Sequence, residues 1–168
     1  MASRIYTAYN GAMPTTAAPA KVTTGTVIKT MMQLATPATG ALEVIEWGIS
    51  FDGSAAATPG ACELVDTTAI NATVVAYAAA DITAVSGAAN RLATLLTLGT
   101  AASGFTASAE GTITATRMGD FQLLPPTAPY IKQFPLERGF ECFASEFLRV
   151  RVTFGTAINA LCYVVWAE

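Results

Sequence analysis

The stretch that decides the fold reads Phe105-Thr106-Ala107-Ser108-Ala109-Glu110-Gly111-Thr112-Ile113-Thr114-Ala115-Thr116. Apolar or small residues take every odd position, and hydroxyl or acidic residues take every even one. A β-strand turns successive side chains to opposite faces. Period two over this length therefore predicts a half-buried strand or a bent pair, with Gly111 as the kink. The polar side carries mainly hydroxyls rather than charges, which suits a sheet face that meets another protein or ordered water.

The same alternation recurs outward from there. In Phe147–Phe154, Leu148, Val150, Val152 and Phe154 are expected inward, with Arg149, Arg151 and Thr153 outward. In Glu43–Phe51, Ile45, Trp47, Ile49 and Phe51 share one face and Val44, Glu46 and Ser50 the other, before a turn at Asp52-Gly53. Thr26–Leu34, Ala61–Asp66, Ile70–Tyr77 and Tyr130–Phe134 are further strands, the last after a stiff connector at Pro125, Pro126 and Pro129. Leu161–Trp166 is apolar on both faces, as in a central strand or a subunit interface. Ala88–Leu98 alone has a helical stripe, through Ala88, Leu92, Leu95 and Leu96 to a stop at Gly99, and its threonines fit a strand as well. About eight strands separated by turn residues predict an all-β fold. It is a β-sandwich, with a jelly roll favoured over an immunoglobulin-like arrangement.

Residues 1–25 read differently from the domain at 26–168. Asn10–Gly25 is almost all Gly, Ala, Pro and Thr and cannot repay its ordering entropy alone. The segment is expected to be an extended N-terminal arm, anchored by Ile5, Tyr6 and Tyr9, lying across a neighbouring subunit; packing back on its own domain stays open.

Composition narrows the function. Of 168 residues 52% are hydrophobic and 12% charged, with 33 alanines and 24 threonines. Histidine is absent, which excludes Ser-His-Asp and Cys-His nucleophile systems and histidine metal sites. Nine basic and twelve acidic residues give a net charge of -3 without a basic run, so no nucleic-acid partner is expected. A monomer of this mass exposes roughly 7,900 Å², about one charge per 370 Å². Such a surface is either coated with small hydroxyl residues or covered by partners. The beginning, Met1–Tyr6, has no apolar leader pattern, and Leu92–Ala109 is too diluted by Thr, Ser and Gly to span a membrane; a chain made in the cytoplasm, with no membrane partner, is expected. Cys62, Cys142 and Cys162 read as buried thiols, or as one disulfide with a leftover thiol.

Candidate chemistry is thin. Glu43 and Glu46 point to opposite faces of one strand, and Glu137, Glu141 and Glu146 beside Arg138, Arg149 and Arg151 suggest ion pairing across strands or subunits. Asp52, Asp66, Asp81 and Asp120 are isolated and read as turn residues. No catalytic, cofactor or metal site is expected, and a carboxylate glycosidase is a remote alternative. Trp47 sits on a core face, whereas Trp166 belongs to a core or an interface, or else to a sugar-stacking platform. Arg149 and Arg151, on one strand face, suit bidentate pairing with a carboxylate of an adjacent chain, or with Glu46 or Glu141 of their own. The interface candidates are thus Ile5, Tyr6, Tyr9, Arg138, Arg149, Arg151 and Trp166.

Glu46-Trp47-Gly48-Ile49-Ser50-Phe51-Asp52-Gly53, Ile131-Lys132-Gln133-Phe134-Pro135-Leu136, Phe147-Leu148-Arg149-Val150-Arg151-Val152 and Tyr163-Val164-Val165-Trp166 together resemble small head proteins of tailed bacteriophages. In particular the chain resembles their jelly-roll decoration, or cement, proteins, from about Thr26 onward. The resemblance implies a non-enzymatic protein, a homotrimer on the virion exterior, that holds the major capsid protein shell against internal DNA pressure. It also implies an arm that clasps a neighbour or the shell. Other expectations are a tail or fibre subunit and, from a different class, a carbohydrate-binding module.

Overall fold

The computed structural model describes residues 4–54, 58–68, 72–85, 93–112, 116–135 and 137–168. Their strands are β1 (Ile5–Tyr9), β2 (Val22–Thr23), β3 (Lys29–Ala35), β4 (Leu42–Asp52), β5 (Gly60–Thr67), β6 (Thr73–Ala76), β7 (Thr83–Ala84), β8 (Gly104–Ala109), β9 (Thr116–Leu124), β10 (Tyr130–Gln133), β11 (Phe140–Cys142), β12 (Phe147–Thr153) and β13 (Asn159–Ala167). They form two antiparallel sheets. The first has the order β10-β4-β13-β1-β7, with β11 also paired to β4 and β2 to β13; the second has the order β6-β8-β3-β12-β5-β9. The chain is an all-β sandwich, as the alternation requires. Trp47, Ile49, Val164 and Trp166 of the first sheet bury against Met32, Leu34, Leu64, Leu148, Val150 and Val152 of the second. Among the described residues no helix is long and apolar enough to cross a membrane.

The inward half of β12 follows its alternation, but the outward half does not. Arg149 is fully buried and Arg151 is 7% exposed. β12 is flanked by β3 and β5, and the chain beyond β8 folds back over its outer face. There the Glu110 carboxylate accepts from the Thr30 backbone N–H (2.5 Å) and hydroxyl (2.6 Å), and Arg149 Nη1 donates to the Glu110 carbonyl (3.2 Å). Arg151 pairs with Glu63, its direct cross-strand neighbour on β5, at 2.9 Å from Nε and 2.7 Å from Nη2. Both arginines therefore spend their charge inside this chain, on Glu110 and Glu63 rather than on an adjacent subunit, Glu46 or Glu141.

Three other expectations fail in similarly local ways. The run beginning at Phe105 keeps its strand only to Ala109. Thr106, with a left-handed φ of 53°, lies inside the strand where its pairing with β6 slips, and Gly111, with a φ of 67°, ends the pleat just beyond Glu110. Residues 113–115 of that run lie outside the described residues. On β4 the pairing with β13 slips, so that Val44 and Trp47 both face the core and Ile45 is the extra, half-exposed residue of a bulge. The first half of the expected helix at Ala88–Leu98 lies outside the described residues, and no helix forms over residues 93–98.

The N-terminal segment is extended, but its anchor belongs to the sandwich. β1 runs antiparallel between β13 and β7, with Tyr6 and Ala8 buried and Tyr6 stacked on Trp166 at 5.9 Å. Asn10 donates its amide to the Ala160 carbonyl (3.2 Å) and accepts from the Cys162 N–H (3.0 Å). The chain then leaves as an exposed loop and returns at β2 to pair with β13. The domain thus begins at β1, not at residue 26. Removing residues 1–24 would strip a strand from the side of β13, and Tyr6→Ala alone should cost about 3 kcal/mol. We expect the truncated chain to lose its cooperative thermal transition and Tyr6→Ala to melt roughly 10 °C lower. An unchanged melt of the truncated chain would show that β1 is dispensable.

Candidate interaction surface

Trp47 is fully buried, so its indole N–H must find an acceptor inside the protein. It donates to Asp120 Oδ2 (3.1 Å) on β9, the last strand of the opposite sheet. Tyr130 donates its hydroxyl to the same oxygen at 2.8 Å. Asp120 Oδ1 accepts from Lys132 Nζ (3.1 Å), Gln122 Nε2 (3.2 Å) and the Phe121 N–H (3.0 Å). Burial alone would push this carboxyl up, but the hydrogen bonds from Tyr130, Gln122 and Lys132 outweigh it and hold Asp120 below its ordinary range. Burial, reinforced by the bond to Asp120, raises the Tyr130 phenol to about 12. Since Tyr130 and Lys132 lie on β10, the outermost strands of the two sheets are tied together along one side.

The other end of β9 is held by Arg117. Its guanidinium pairs with the buried Asp66, donates to the Glu141 carbonyl, and lies 4.2 Å from the Phe143 ring centroid and 5.0 Å from that of Phe140. Asp66, Cys142 and Glu146 each bring a ligand-type atom within 4.8 Å of the others. Burial, and then the Asp66 carboxyl hydrogen-bonded beside it, raise Glu146 above its ordinary value. Burial pushes the Cys142 thiol up to about 12, although the Thr36 hydroxyl donates to its sulfur at 3.1 Å. The Arg117 ion pair to Asp66 and the Thr36 hydrogen bond to Cys142 make this an internal clamp at the other end of β9.

These two anchors fix the inner side of β9. Its outer side presents Met118, Phe121 and Leu123, which are 51%, 45% and 67% exposed. Gly119, between the anchors, admits the Phe140 ring, which a Cβ there would approach to 2.6 Å. The result is a strip of large apolar side chains on a rigid terminal strand. Terminal strands of this kind are templates for another chain.

The expected interface residues do not converge here. Tyr6, Arg149, Arg151 and Trp166 are interior and cannot meet another subunit in this fold. Ile5 and Tyr9 are half-buried on β1, and Arg138 is exposed. Trp47 and Trp166 are both core, which removes Trp166 as a sugar platform. Asp66 and Asp120 lie within strands rather than turns. Cys62, Cys142 and Cys162 are all buried thiols outside any disulfide. Glu43 accepts from the Gly139 N–H (3.0 Å), and Glu46 accepts from Gln133 (2.6 Å) and Tyr163. Phe121 and Leu123 keep a two-residue spacing that, with the apolar side taken as the core, points the wrong way, and Met118 joins their face only through the bulge at Gly119.

Asp120→Ala should destabilise the chain by about 3 kcal/mol, because the Trp47 and Tyr130 donors and the Lys132 charge all lose their acceptor. Urea unfolding checks this. The pH dependence should run in opposite directions at the two anchors. The depressed Asp120 contributes in full above the ordinary aspartate range, near 3.9, and its contribution is lost as the pH falls through its folded value. The raised Glu146 contributes in full below the ordinary glutamate range, near 4.3, and its contribution is lost as the pH rises through its folded value. Unfolding midpoints between pH 3 and 8 should therefore decline less on the acid side for Asp120→Asn, and less on the neutral side for Glu146→Gln. No family model, no curated protein and no solved structure matches this chain.

Proposed function

We propose that the chain is a non-enzymatic virion subunit: a decoration, or cement, protein with a jelly-roll winding that assembles as a homotrimer on the exterior of a phage head and grips the major capsid protein. The observation that carries this reading is the Met118, Phe121 and Leu123 strip, held rigid on a terminal strand by Asp120 and Arg117. Full burial of such a side chain is worth roughly 1.5–3 kcal/mol, and since each is already partly covered about half of that is left to gain. Three per subunit give a weak contact that symmetric repetition on a lattice multiplies. Sparse surface charge supports the same reading, since close-packed neighbours then meet little repulsion. The phage setting itself rests on the resemblance in the primary structure.

Sedimentation and light scattering at about 10 μM, a working range for weak assemblies, test the proposal. The expected species is a trimer that binds emptied phage shells. Phe121→Asp with Leu123→Asp should yield a monomer with an unchanged melt that no longer binds. A monomeric wild-type chain without affinity for shells overturns the reading.

A further inference from the structure

We propose that the outer face of the first sheet is a binding site for a neutral saccharide chain, with the Tyr9 and Tyr163 rings as its stacking platform. This does not rest on the decoration role, which uses the opposite sheet. Tyr163 on β13 stands directly across from Gly48 on β4 and from Tyr9 on β1. A Cβ at Gly48 would lie 2.6 Å from Tyr163 Cε1 and 2.9 Å from Cζ, so the absence of a side chain there lets the ring lie down over β4. The Tyr9 ring lies beside it at 5.8 Å with a 40° tilt. The Tyr163 hydroxyl donates to Glu46 Oε1, while Gln133 Nε2 holds Glu46 Oε2 at 2.6 Å. The platform is therefore pinned from below and at its rim.

The two rings border a concavity of about 210 Å³, closed by Tyr130, Ile131 and Leu161. It shares Ser50 and Leu161 with a groove of about 400 Å³ that continues to Asn159 and the Lys21–Asp52 ion pair. From Tyr163 to Asn159 the strand spans about 13 Å, room for a short run of sugar rings. The chemistry of the lining selects the ligand class. Flat aromatic faces suit the apolar C–H face of a pyranose, and the carboxylate, amide and hydroxyl groups at the rim suit its hydroxyls. Glu46 and Asp52 leave no surplus of positive charge for a phosphate or a polyanion, and the polar rim argues against a lipid chain.

Titration of the intact protein with cellohexaose, chitohexaose and maltohexaose, each to about 10 mM, followed by amide chemical shifts, tests this. At least one of the three should move the amides of Gly48, Ser50 and Leu161. Tyr163→Ala and Tyr9→Ala should weaken that binding tenfold or more, and Tyr9→Phe should leave it unchanged. Ser50→Trp, at an exposed position, should block the groove while preserving the fold, which covers the case in which Tyr163→Ala does not fold. Silence of these amides toward all three sugars overturns the proposal. Binding unaffected by Tyr9→Ala and Ser50→Trp overturns it equally.

Discussion

A sandwich made of two open sheets has a seam on each side where the last strands do not pair. Here one seam is closed by a single carboxylate. Asp120 serves the indole of Trp47 in the core, and that service obliges it to be buried and charged. A buried charge needs compensation, which Lys132, Tyr130 and Gln122 supply. Two of those three donors belong to the other sheet, so satisfying one tryptophan also ties β9 to β10. The side chains on the far side of β9 inherit their placement from that tie. The apolar strip is rigid because its reverse side is polar and saturated.

Fold class was legible because alternation is a local property. Leu148, Val150, Val152 and Phe154 could be assigned to the core from their spacing, and the structure buries all four. What spacing cannot show is whether the opposite face is covered. Arg149 and Arg151 were expected in solvent or against a neighbour because arginine is normally exposed. Their burial depends on Glu110, some forty residues away, and on Glu63 across the sheet. The β1 strand was hidden for a related reason. Its five residues are followed by a low-complexity loop whose composition dominates the reading, and only the pairing with β13 shows that Tyr6 is core. Bulges add a third difficulty. One extra residue at Ile45 inverts the faces that a strict two-residue period assigns to Val44 and Ile45.

The candidate surfaces were less legible than the fold. β9 carries its polar residues, Asp120 and Gln122, toward the interior and its apolar ones outward, the reverse of the usual assignment. Periodicity defines two faces without saying which is inside, and the tie-breaker is a partner for the polar side. That partner, Trp47, is 73 residues away. Asp66, Cys142 and Glu146 show the same separation problem, since pairing of β5 with β12 and of β11 with β4 assembles them from distant segments. On the sheet's outer face the decisive signal was a glycine. Gly48 has no side chain to read, yet its bareness lets Tyr163 lie over β4.

Charge accounting connects these surfaces. The chain is poor in charge to begin with, and Asp66, Asp81, Asp120, Arg149 and Arg151 are all buried. The face seen by other molecules is therefore more neutral than the composition implies. Outside lie the Met, Phe and Leu strip on β9, the tyrosine pair over β13 and scattered charges such as the Lys21–Asp52 pair and Arg138. The apolar strip and the tyrosine pair act only at contact. Association through them gains little from electrostatic steering and loses little to salt, so selectivity must come from shape and from repeated contact. For the proposed lattice role such a surface suits close, many-fold engagement, and the polar networks on Asp120 and Asp66 anchor the strand beneath it.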